Sequence, residues 1–176
     1  MEGLSMRTRS VVLSLLLVFL LSVVPVFGAD FTSFSGHDLS GRAVDQSLFA
    51  NRKLTMVTVW ATYCGYCREE MPSIAELQRA YPDLQVVGVV TDVLARNGKL
   101  LMGQVSLAQR ILKQTGLEEV TLQPETSVMN AVGSLQGVPT KFYVDGTGKV
   151  IAGPIIGYQD KASMERDIIA LLEKTT

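Results

Sequence analysis

Cys64 and Cys67 are the only cysteines of this 176-residue chain, and two residues separate them in Thr62-Tyr63-Cys64-Gly65-Tyr66-Cys67-Arg68. Thiols at this spacing can close and open one disulfide, which moves two electrons per cycle. The positions around them decide whether the sulfurs are reactive. Met71, Ile74, Ala75 and Leu77 recur at helical spacing after the pair, while Arg68, Glu69, Glu76 and Gln78 can face water. Cys64 therefore falls at a helix N-terminus, where unpaired N–H groups and the helix dipole stabilise a thiolate and lower its pKa below the free value of about 8.5. It is the expected nucleophile. Cys67, one turn later on the same face, is the expected resolving thiol that attacks Cys64 within a mixed disulfide.

Two other uses of the pair remain to be weighed. A structural zinc site needs four nitrogen or sulfur ligands, and this chain has two cysteines and a single histidine, His37, far upstream. A purely structural bridge across so short a loop removes little unfolded-state entropy. No metal and no cofactor is called for by the remaining residues.

The elements that must position the pair can be read around it. The run Leu54 to Ala61, with Val57 and Val59, reads as a buried strand. Tyr81-Pro82-Asp83 breaks the helix that follows, and Leu84 to Val90 reads as a second buried strand. That order predicts a parallel crossover. Leu107, Ala108, Ile111 and Leu112 predict a helix ending near Gly116, and Val128 to Leu135 a short one. Phe142 and Val144, the turn Asp145-Gly146-Thr147-Gly148, and Val150 to Ala152 predict a hairpin. Met164, Ile168, Leu171 and Leu172 mark a closing helix.

The block from Trp60 to Pro72, with Gly137-Val138-Pro139-Thr140 later, resembles the thioredoxin superfamily and, within it, the TlpA/ResA-like thiol-disulfide oxidoreductases. The resemblance covers nearly everything after residue 30. It implies an α/β thioredoxin-like fold, a central mixed β-sheet flanked by helices. Asp30-Phe31-Thr32 and Ser40 to Val44 match an N-terminal extension, and the stretch from about Thr91 to Gln123 stands as a central insertion. By position, Pro139 matches the family's cis-proline and Val138 the residue whose backbone receives an extended substrate segment. Trp60, Tyr63 and Tyr66 are the expected aromatic substrate contacts. Pro72 matches a proline that kinks the active-site helix. Glu70 matches a glutamate that assists proton movement between the cysteines, against the simpler reading of a solvated acid in an early helix turn.

Two departures bear on the chemistry. Thr58 stands where thioredoxin has a buried aspartate, and Gly65-Tyr66 replaces a proline-containing dipeptide and resembles that of the DsbC isomerase. The dipeptide bears on reduction potential, so a reductase and an isomerase or oxidant both stay open. A non-catalytic metal-binding or redox-sensing module is the rival from another class.

Residues 1–28 carry Arg7 and Arg9 ahead of an apolar run from Val11 to Phe27, which reads as a secretory signal or an uncleaved anchor, with residues 29–176 as one domain. Basic residues before the run predict export, into a compartment where disulfides persist. A formal net charge of −1 without a basic run gives no footprint for nucleic acid. The partners implied by the resemblance are disulfides of exported proteins, apocytochrome c among them, and a membrane thiol donor of the DsbD/CcdA type.

Overall fold

A computed structural model describes residues 28–117 and 119–174. The expected leader thus lies outside the described residues apart from Gly28. Seven strands and four α-helices follow in order: β1 Ser35–His37, β2 Ala43–Asp45, a 3-10 turn Gln46–Phe49, β3 Leu54–Trp60, α1 Gly65–Ala80, β4 Leu84–Val90, α2 Met102–Thr115, β5 Val120–Leu122, α3 Thr126–Val132, β6 Thr140–Val144, β7 Val150–Ile156 and α4 Lys161–Lys174. Among the described residues no helix is long and apolar enough to cross a membrane.

Five strands form one mixed sheet in the order β5-β4-β3-β6-β7. The β3, β4 and β5 strands are parallel, and β6 runs antiparallel to both β3 and β7. β3 sits at the centre because every one of its residues is buried, as its apolar and threonine-rich sequence requires. Side chains alternate between two faces. One face sets Leu54, Met56, Trp60, Leu84, Val86, Val90 and Tyr143 against Met71, Ile74 and Leu77 of α1 and Met164 and Ile168 of α4. The other sets Val57, Val59, Val87, Val89, Phe142 and Val144 against Phe31, Phe34, Phe49 and Val128.

The N-terminal extension is a hairpin, β1 paired antiparallel with β2, joined to the main sheet by a bridge from Asp38 to Leu122. Upstream of it, Phe31 packs edge-on against Phe34, Phe49 and Phe142. Its N–H donates to the Gly148 carbonyl at 3.1 Å. Gly148 has a positive φ of 89°, and a Cβ there would lie 2.5 Å from the Phe31 carbonyl oxygen, so only glycine fits this seam.

The segment 91–123 is more than an insertion. Its first part is a loop, but α2 and β5 complete a second crossover, and β5 pairs with Val87 to Val89 as the edge of the sheet. Three residues are too few for strand alternation to show in the sequence. The short helix is Thr126–Val132 and stops before Leu135. The last strand runs on to Ile156 through a cis Gly153–Pro154 bond, at a sheet edge where a missing donor is tolerated.

Candidate active site

Cys64 is the N-cap of α1, in extended conformation, and Gly65 is the first helical residue. The Cys67 N–H donates to Cys64 Sγ at 3.1 Å, so the cysteine sulfur takes the place of a capping oxygen. Charge on that sulfur is thereby met by a backbone dipole and by the positive end of a helix sixteen residues long. Cys64 and Cys67 are joined, with S–S 2.07 Å and Cα–Cα 5.3 Å. Cys64 is 8% exposed and Cys67 1%, so an incoming sulfur can reach only the first. This asymmetry separates the attacking thiol from the resolving one.

The strand before the pair is fixed by a contact absent from the sequence expectations. Asp92, just past the C-terminal end of β4, accepts hydrogen bonds from the Thr62 N–H at 3.1 Å and the Thr62 hydroxyl at 2.5 Å. Cys64 N–H in turn donates to the Ala61 carbonyl at 3.0 Å. The turn that delivers Cys64 is thus latched to the neighbouring parallel strand, whose end lies beside it because Trp60 and Val90 are in register.

Val138 and Pro139 precede β6, and the bond between them is cis. The Pro139 carbonyl accepts from the Gly157 N–H at 2.8 Å, which ties this loop to the chain leaving β7. Tyr63 and Tyr66 are 74% and 65% exposed and flank the cysteines from the surface. Trp60 differs from the expectation. Its side chain is fully buried in the α1-side core with Cys64, Cys67 and Val93, so it supports the pair from below and offers no surface to a substrate. The strand's last inward-pointing position puts it there.

Glu70 also departs from the solvated alternative. It is buried, and Lys141 Nζ donates to both carboxylate oxygens, at 3.1 and 2.8 Å. The Gln159 N–H adds a third bond to Oε2 at 3.2 Å. Burial pushes the Glu70 carboxyl above its ordinary value, and the Lys141 ammonium and the Gln159 N–H hold that rise in check. Lys141 itself is fully buried and also donates to the Gly157 carbonyl at 3.0 Å. In the sequence a lysine between Thr140 and Phe142 reads as a solvent-facing strand position, and only the fold brings a carboxylate to it. Its strand partner is Thr58, so the cation lies beside the place where thioredoxin carries an acid.

His37 is half exposed and pairs with Glu125 at 3.0 Å. Both line an open groove of about 450 Å³ that includes none of the redox-site residues. Among the described residues no cluster of three or more His, Cys, Asp or Glu is placed to hold a metal ion.

The chain is similar to "Thiol-disulfide oxidoreductase ResA" of Bacillus cereus, with 28% identity over 78% of this chain and 74% of that protein. Among solved structures it resembles a thiol:disulfide interchange protein of the thioredoxin family from Chlorobium tepidum, with TM-score 0.66 and 24% identity over 82% of this chain and 97% of that one. A putative thiol:disulfide interchange protein DsbE from Chlorobium tepidum matches with TM-score 0.64 and 27% identity, over 82% of this chain and 96% of that one. The model of the Redoxin family matches residues 27–165. With the capped Cys64–Cys67 pair on a thioredoxin-like sheet, these matches make the chain a member of the Redoxin family and a TlpA/ResA-like thiol-disulfide oxidoreductase of the thioredoxin superfamily.

Proposed function

We propose that this oxidoreductase works outside the cytoplasm and reduces disulfides in exported polypeptides. The observation that carries the reading is the pair itself: an accessible sulfur capping a helix, backed by a buried partner. In the reduced enzyme the Cys64 thiolate attacks one sulfur of a substrate disulfide, and the other substrate sulfur leaves as a thiolate that takes a proton. Cys67, deprotonated, then attacks Cys64 Sγ. The second substrate sulfur departs, the enzyme ends with Cys64 and Cys67 joined, and the substrate has gained two electrons and two protons. Glu70 is the proposed acceptor for the Cys67 proton, since it lies one turn further along α1 with its carboxyl raised by burial.

Val138 supplies backbone groups for an extended substrate, Pro139 holds that backbone beside the sulfurs, and Tyr63 and Tyr66 line the approach. Two electrons must return from a dithiol donor, for which a membrane protein of the DsbD/CcdA type fits an exported domain. The apolar run before residue 28, whether cleaved or kept as an anchor, is the support for location. Apocytochrome c is one candidate substrate. The second reading, an isomerase or oxidant, is favoured by Gly65-Tyr66, because neither residue restrains the turn between the sulfurs as proline does.

The reduction potential of the Cys64/Cys67 couple decides between them. A value near about −270 mV supports the reductase, and one between about −180 and −120 mV overturns it in favour of the isomerase or oxidant.

A further inference from the structure

The segment leaving β7 is fastened at both neighbours of Tyr158. Lys141 Nζ donates to the Gly157 carbonyl at 3.0 Å, and the Gln159 N–H donates to Glu70 Oε2 at 3.2 Å. Gly157 is held a second time by its N–H to the Pro139 carbonyl. Tyr158 stands between these anchors, 46% exposed, with its ring 6.2 Å from that of Tyr66. Tyr66 lies between the two cysteines in sequence, so this ring contact ties Tyr158 to the redox motif itself. An ion pair buried to this degree is costly to desolvate and is a poor source of net stability. What it does here is fix the backbone on either side of one exposed aromatic residue at the rim of the redox site.

We propose that Tyr158 is a substrate-binding residue which, with Tyr66, forms an aromatic rest for a large apolar side chain near the substrate cysteine, and that Lys141 is the positioning residue that holds it there. The occupant is an extended segment of disulfide-bonded polypeptide. Two arguments favour it. Tyr66 belongs to the cysteine motif, and the residue before Tyr158 is hydrogen-bonded to Pro139, the neighbour of Val138, which suits a chain crossing the surface between them. Paired tyrosines also present a broad, rigid apolar area at small entropic cost. The nearby exposed charges, Arg68 and Glu69, are of opposite sign, so selection by charge is not expected. The proposal rests on the polypeptide-disulfide reading above.

The test compares kcat/KM, with a dithiol as electron source, for two disulfide-linked peptides that differ only in carrying Phe or Ser two positions from the cysteine. The wild-type protein should prefer the Phe peptide by about fivefold. Tyr158→Ala should bring the ratio close to one, Tyr158→Phe should keep it, and Lys141→Met should lower it. The double variant Glu70→Gln/Lys141→Met, which leaves no buried charge unpaired, should lower it too. A general loss of folding or chemistry would slow both peptides alike and leave the ratio intact. A wild-type protein without preference, or a Tyr158→Ala protein that keeps it, overturns the subsite. A double variant that discriminates like the wild type overturns the role of Lys141. A wild-type protein that reduces a small aromatic disulfide but neither peptide defeats the polypeptide reading itself.

Discussion

The two faces of the central sheet are built on different principles. The face away from α1 is closed by aromatic rings and β-branched side chains, with Phe31, Phe34, Phe49 and Phe142 in mutual contact or sharing one cluster. The face beneath α1 carries a row of small or polar residues in register across four strands: Thr121, Gly88, Thr58 and Lys141. Two carboxyl groups lie over that row. Glu70 meets Lys141 at one end. Glu119 lies over Gly88, where a Cβ would collide with its carboxylate, and accepts from the Thr121 hydroxyl at 3.0 Å. Charged groups are expensive to bury, and here the Glu70–Lys141 pair and Glu119 lie on the α1 side, whereas the buried polar side chains that β3 and β6 turn to the opposite face are the neutral hydroxyls of Thr55 and Thr140.

The sharpest break is Cys64→Ser, which should abolish all disulfide turnover, whereas Cys67→Ser should accumulate mixed disulfides with substrate, visible on a non-reducing gel. On the apolar face, Phe142→Ala should cost about 3–5 kcal/mol in denaturant unfolding and leave the reduction potential alone. On the polar face, Lys141→Met should cost a similar ~3–5 kcal/mol, because it strands a buried carboxylate. There, unlike on the apolar face, Glu70→Gln in the same chain should restore part of the loss. Equal behaviour of the two faces in these double variants would remove the contrast.

Glu119 gives the contrast a pH signature. Its carboxyl is raised from an ordinary 4.5 to about 8, chiefly by burial, against which the hydrogen bond from the Thr121 hydroxyl acts. Between those values the folded chain holds a proton that the unfolded chain has lost, so stability should fall as pH rises from about 4.5 to 8 and level off beyond. The slope is at most about 1.4 kcal/mol per pH unit. Glu119→Gln should flatten it, as read from unfolding midpoints across that range. The smallest effect is expected at Asp92→Asn, which weakens the latch on Thr62 by about 1 kcal/mol and should raise proteolysis of the turn before Cys64.

Much of this was legible in the chain because it depends on local pattern. Strands β3 and β4, the helix after the cysteines, the β6–β7 hairpin and the reactive pair itself are all written in alternation, helical spacing and turn residues. What the sequence did not disclose are contacts made at long range by residues of ordinary local type. Lys141 looks like an outward strand lysine until Glu70 is brought over it. Asp92 looks like a loop acid until Thr62 lies beside it. Trp60 reads as a substrate contact on the resemblance alone, but its parity on β3 turns it inward.

The seam between Phe31 and Gly148 marks one end of the sheet. Gly148 closes the β6–β7 turn, and Val144, just before that turn, is in register with Thr55 at the start of β3. The disulfide lies past the other end of the same strand. The Phe31–Gly148 seam and the sulfurs therefore stand at opposite ends of the sheet, a strand's length of about 20 Å apart. A substitution that opens this seam should therefore loosen the sheet at the end remote from the disulfide and leave the cap on Cys64 in place.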